Sequence, residues 1–305
     1  MHFAHKSTKI YDMKRLFLSI FVLLLLASGV GLVGAIELEV MGGVDCFTFS
    51  PDKTSAYTEP DTEKQFTPYI YGIVNMSFRH DISESLNLSI NYERDNLLQN
   101  SINALFGAKT DYFIVKFGPF LGLLDNFSIP DMGIIGNLEL NLPGIVSLSI
   151  SGSSTLGSQF DLTSQTYRET AGLKLGFWIE NAIPSFSAVI KYISRQPEES
   201  VVINDTLFKY FFNMELFDKN SSISGFFNLG YQSLKRNYKR GDLVFSDELS
   251  SWLAGLGISW QIITPLCIKA GFEIPFFISA TEPMTVTQES LLYSKIYAGV
   301  VYTIK

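Results

Sequence analysis

From Ile36 onward, apolar and polar residues alternate one by one over most of the chain. In Leu86-Asn87-Leu88-Ser89-Ile90-Asn91-Tyr92-Glu93 one parity is apolar and the other polar. The pattern returns in Asn137–Leu142, Val146–Ser151 and Ala171–Glu180. In Trp252–Ile262 the residues Trp252, Ala254, Leu256, Ile258, Trp260 and Ile262 oppose Gly255, Gly257, Ser259 and Gln261. Successive side chains of a strand point to opposite faces, so period two predicts strands with one greasy and one wet face. A helical 3.6-residue stripe and a capping box before an apolar run are both missing.

Turn residues divide this pattern into fourteen predicted strands. They are Ile36–Phe49, Phe66–Arg79, Leu86–Asp95, Ser101–Ala108, Tyr112–Leu123, Met132–Leu142, Ile145–Leu156, Thr166–Glu180, Ser185–Ser194, Thr206–Phe217, Ser222–Leu234, Leu249–Ile262, Leu266–Ser279 and Leu291–Ile304. Ser101–Ala108 has the weakest pattern, and twelve is the next best count. Short turns, such as Pro143–Gly144 and Ile263–Pro265, alternate with longer polar loops, such as Ser50–Gln65, Arg195–Asp205, Lys235–Glu248 and Ala280–Glu289. That rhythm fits up-and-down barrels with tight turns at one rim and longer loops at the other.

The first 35 residues read differently. Lys14 and Arg15 precede an apolar run from Leu16 to Ala35, which ends in small residues. A basic, an apolar and a small-residue region in this order predict a secretory signal peptide over residues 1–35, cleaved after Val33-Gly34-Ala35. Met13 is an alternative start that puts the basic pair at the front. The rival reading is an uncleaved membrane anchor, since twenty apolar residues can span. Residues 1–35 carry Lys6, Lys9, Lys14 and Arg15 against Asp12, a net of +3. The chain charge of −7 therefore becomes −10 for residues 36–305, the predicted barrel domain.

Alternation alone does not say which way the apolar face points. A soluble sandwich hides it inside; a membrane barrel turns it to lipid. Three features favour the barrel. Lys and Glu keep to one parity at mid-strand, as at Glu139, Lys174, Lys191 and Glu273. Aromatics (Tyr92, Phe177, Tyr192, Trp252, Trp260, Phe276, Tyr302) fall near the ends of apolar faces, where an interfacial girdle places them. Most predicted strands are about 9–14 residues, long enough for a tilted crossing of hydrocarbon.

Tyr297-Ala298-Gly299-Val300-Val301-Tyr302-Thr303-Ile304 resembles the outer-membrane insertion signal, a polar-x-Gly-x-x-apolar-x-apolar strand at a chain end. That signal usually closes on an aromatic residue, and here Ile304 and Lys305 take the place. Residues 36–305 thus resemble a Gram-negative-type, porin-like outer-membrane β-barrel, and the Phe-rich style is similar to that of spirochaetal outer-membrane proteins. The resemblance implies an all-β, closed antiparallel transmembrane barrel in the cell outer membrane. It also implies lipid and the barrel-assembly machinery as partners.

Composition narrows the chemistry. Charged residues are 17% of the chain and the net charge is negative, which argues against nucleic acid as a partner. The only His beyond residue 35 is His80, at a predicted periplasmic turn, where a solvated turn residue is expected rather than a catalytic base. Cys46 and Cys267 are expected as two free thiols. A phosphate-binding loop and a metal-spaced cluster are not present in the sequence. Asp52–Glu63 reads as a solvated acidic loop more readily than as a calcium site. No enzyme activity, metal or other cofactor is expected.

The leading expectation is a channel for passive diffusion of small polar solutes. The inferred lumen-lining residues are Asn87, Asn91, Glu93, Asn137, Glu139, Asn141, Lys174, Glu180, Lys209, Asn213, Glu215, Lys269, Glu273 and Lys295. Both charge signs occur, and the acidic total suggests mild cation preference. One alternative is a carrier of hydrophobic compounds like the fatty-acid transporter family, supported by Val189, Phe211 and Phe277 on the inner parity. Another is a surface adhesin or a structural barrel.

Overall fold

The computed structural model describes residues 35–47, 64–65, 70–94, 100–123, 131–156, 165–198, 200–218, 221–280, 284–285 and 295–304. The predicted signal peptide and the acidic loop Asp52–Glu63 lie outside the described residues. Among the described residues there are sixteen strands: β1 (Ile36–Asp45), β2 (Lys64–Gln65), β3 (Tyr71–Asp81), β4 (Leu86–Arg94), β5 (Asn100–Lys109), β6 (Phe113–Leu123), β7 (Met132–Leu142) and β8 (Val146–Thr155). They continue with β9 (Gln165–Phe177), β10 (Ala182–Glu198), β11 (Val201–Phe217), β12 (Ile223–Arg240), β13 (Leu243–Ile263), β14 (Leu266–Ala280), β15 (Met284–Thr285) and β16 (Lys295–Ile304).

Fourteen of them form one closed antiparallel barrel, and the expected weak strand is present as β5. The seam closes where Ile36 pairs with Ile304 and Val44 with Ile296. Closure gives every strand two neighbours, so no edge is left with unpaired N–H and C=O groups facing hydrocarbon. The other two strands, β2 and β15, pair in parallel and join the β1–β3 and β14–β16 connections on either side of the seam.

The apolar parity faces outward. Phe117 and Phe277 are each 68% exposed, while Asn87, on the polar parity, is 2% exposed. Leu88, Leu140, Leu175 and Ile274 stand on four different strands of the outer wall rather than in one protein interior. An outward row of Tyr210, Tyr231, Trp252 and Phe277 runs register to register across β11–β14. The Tyr210–Tyr231 and Tyr231–Trp252 centroids are each 5.4 Å apart. Such a belt suits the boundary between lipid tails and headgroups. On β11 the apolar outer residues run from Phe208 to Leu216. Eight steps of about 3.3 Å at a tilt of about 40° give roughly 20 Å of height, close to the lipid band of such barrels.

Several expectations need correction. The β1 strand stops at Asp45, not at Phe49, because the Asp45 carboxylate accepts the Phe47 N–H at 2.9 Å and draws the backbone off the ladder. The expected loops Arg195–Asp205 and Lys235–Glu248 are mostly strand. There β10–β11 and β12–β13 continue upward as tall hairpins. The second turns at Gly241-Asp242, where φ of +59° at Gly241 needs a residue without Cβ. Glu180 is not on a strand wall: β9 ends at Phe177, and Glu180 sits exposed in the turn with φ of +36°. Phe277 is outward, because Trp252 pairs with Phe277 while Leu253 pairs with Pro275. That one-residue bulge exchanges the faces of everything after it. His80 is not a solvated turn residue but lies in β3 between Ile36 and Leu88, only 6% exposed.

Candidate functional site

The lumen is the candidate site, and its polarity is inherited from the inward parity. On β4 that parity presents Asn87, Asn91 and Glu93; Asn91 donates to Asn103 of β5 at 2.7 Å. On β7 it presents Asn137, Glu139 and Asn141. Asn137 donates to Glu139 at 2.7 Å, and Lys116 of β6 pairs with the same carboxylate oxygen at 3.2 Å. Lys174 stands between Ser149 and Ser187. Asn213 donates to Ser187 at 3.4 Å, and Glu215 lies beside Phe226. Lys269 pairs with Glu39 at 3.1 Å and Lys295 with Glu273 at 3.4 Å. Asn228 also donates to Glu273, at 3.3 Å. It reaches over Gly255, where a Cβ would collide with its side chain.

The decisive contact joins two walls. Glu93 of β4 and Lys191 of β10 meet at 3.0 Å. Five strands separate β4 from β10 one way round the barrel and seven the other. The pair therefore bridges the bore. It divides the inside into a chamber of about 470 Å³ on the Lys209–Lys295 side and one of about 230 Å³ on the Asn103–Arg168 side.

Next to this bridge an apolar cluster crosses the lumen. Phe47, just past the end of β1, packs against Ile193, Leu207, Leu234 and Leu249 on β10–β13, with Ile278 and Ala280 of β14 alongside. Because β1 lies three strands from β13 and six from β10, Phe47 reaches across the mouth. This cluster was not read from the sequence, since its members sit among polar residues at the ends of predicted strands or in predicted loops.

The tall hairpins carry a second feature missed by sequence reasoning. Asp205, 1% exposed, accepts from Arg195 Nη1 at 2.7 Å, from Arg236 Nε at 2.7 Å and from Arg236 Nη2 at 2.9 Å. Its outward neighbours Asn204 and Thr206 are polar, so the triad stands above the lipid band. Burial pushes the Asp205 carboxyl up, but the Arg236 and Arg195 guanidinia overcome this and hold it down at about 2. Another ion pair, Arg168–Asp131 at 3.1 Å, sits on the adjoining wall, where Arg168 of β9 pairs in register with Ile193 of β10 and lies 5.4 Å over the Phe120 ring. Among the described residues no three His, Cys, Asp or Glu side chains are grouped as a metal ion would require.

No protein-family model matches the chain, and no curated protein sequence does either. Among solved structures, a FadL homologue of Pseudomonas aeruginosa is 9% identical over 88% of this chain and 89% of that one, with a TM-score of 0.51. The chain is an outer-membrane β-barrel. That fold places it in the cell outer membrane, with lipid against its outer wall. Other similar structures are an outer membrane channel from Pseudomonas putida F1 and OmpT of Vibrio cholerae. The first is 8% identical over 89% of this chain and 96% of that one, with a TM-score of 0.48. The second is 9% identical over 88% and 96%, with a TM-score of 0.42. At such identities the likeness speaks for the fold alone.

Proposed function

We propose that this outer-membrane barrel is a channel for passive diffusion of small solutes, narrowed by the Glu93–Lys191 bridge. One observation carries the reading: a closed wall of polar inward parity that encloses chambers of about 470 and 230 Å³ on either side of one ion pair. Fourteen strands enclose more room than side chains fill in an eight-stranded barrel. The inferred lumen-lining residues other than Glu180 belong to this reading. Export through a cleaved signal over residues 1–35, and insertion by the barrel-assembly machinery through the terminal strand β16, complete it. A second reading, passage of hydrophobic compounds, is favoured by Val189 and Phe211 in the larger chamber, although Phe277 no longer supports it. Planar-bilayer recording of purified protein tests the channel. Discrete conductance steps are expected, and their absence at all voltages would overturn the proposal.

A further inference from the structure

We propose that the larger chamber binds an amphipathic organic anion, its acidic head on the Lys209 ammonium and its apolar body against Met41, Ile73 and Phe211. The inference rests on the channel reading only for how the ligand arrives. Lys209 lies on the inward parity of β11, between Val189 and Gln232, and borders the chamber of about 470 Å³. Of the other cations bordering the chamber, Lys191 pairs with Glu93 at 3.0 Å and Lys295 with Glu273 at 3.4 Å, while Arg94 has a buried Nε without a partner among the described residues. Asp45, which also borders the chamber, has one carboxylate oxygen on the Phe47 amide. Lys209 has no hydrogen bond or ion pair among the described residues.

Lys209 is partly buried, and Asp45 and Glu273 act on it through space without forming an ion pair, so an incoming carboxylate supplies the close partner it lacks. Two cations without an ion pair among the described residues, Lys209 and Arg94, border the chamber and favour an anionic head over a neutral or cationic one. The chamber's remaining wall, with Met41, Ile73, Val189, Leu207 and Phe211, offers an organic tail more apolar contact than a hydrated inorganic anion could use. The volume falls within the range of small-molecule sites, about 300–1,000 Å³.

Barrel reconstituted in lipid nanodiscs is dialysed to equilibrium against octanoate, octanamide or octylammonium, with empty discs as blank. Octanoate is expected to bind better than octylammonium. Lys209→Gln should weaken octanoate about tenfold while leaving octanamide unchanged, the size expected for one charge-assisted hydrogen bond. Lys209→Arg should restore octanoate, and it serves as the test variant if Lys209→Gln does not fold. Val189→Trp, which fills the chamber, should weaken octanoate and octanamide together. Equal octanoate affinity in wild type and Lys209→Gln, or equal affinity for octylammonium, would overturn the inference. Conductance without Lys209-dependent binding sinks the ligand site alone; Lys209-dependent binding without conductance sinks the channel alone.

Discussion

Replacing Asp205 with Asn removes a buried carboxylate that binds both Arg195 and Arg236 inside the tall hairpins, where the two side chains are 9% and 11% exposed. A carboxyl at about 2 in the fold, against 3.8 when free, represents about 2.5 kcal/mol at neutral pH, from 1.36 kcal/mol per unit. Loss of the close contacts to two guanidinia adds to this, since breaking a buried ion pair costs about 3–5 kcal/mol. An opening penalty of about 3 kcal/mol corresponds to roughly a hundredfold change in equilibrium. The triad stands above the lipid band, so the loss should be local. Hydrogen exchange followed by mass spectrometry should show amides near Arg195, Asp205 and Arg236 exchanging roughly a hundredfold faster in the variant, with the lipid-embedded strands unchanged. Because the folded carboxyl titrates below the unfolded one, its stabilisation is complete above about pH 5 and fades as pH falls through 3.8 toward 2. The difference between wild type and Asp205→Asn should therefore shrink over that window. Equal exchange in the two proteins at pH 7, or a difference that persists at pH 2, would refute the reasoning.

Other outcomes follow from the same geometry. Lys191→Ala or Glu93→Ala should raise single-channel conductance, because either merges the two chambers; unchanged steps would show that the bridge does not limit the path. Leu173→Arg, at a position 48% exposed on the outer face of β9, should lower stability by about 2–4 kcal/mol in urea titrations from lipid vesicles. Full stability there would contradict a lipid-facing wall. Phe47→Ala should loosen the contact across the mouth by about 3 kcal/mol and speed maleimide labelling of neighbouring Cys46. A labelling rate equal to wild type would remove Phe47 as the element that closes the mouth.

Alternation by itself determined the strands, their number and the two faces, because period two is a local property that a chain writes residue by residue. Leu86–Glu93 shows it: both its strand and its inward Asn87, Asn91 and Glu93 were legible at once. Polarity misled where a strand runs beyond lipid. Arg195–Asp205 and Lys235–Glu248 looked like loops, since above the membrane both faces of a hairpin tolerate charge. Nor did pattern reveal the bulge that turns Phe277 outward, because one inserted residue is visible only against its partner strand. Only the tertiary structure decided what fills the bore. Glu93 and Lys191 are 98 residues apart, and Phe47 meets Leu249 from three strands away. Such contacts depend on where the ring closes, and closure is a property of the whole sheet that no single segment encodes.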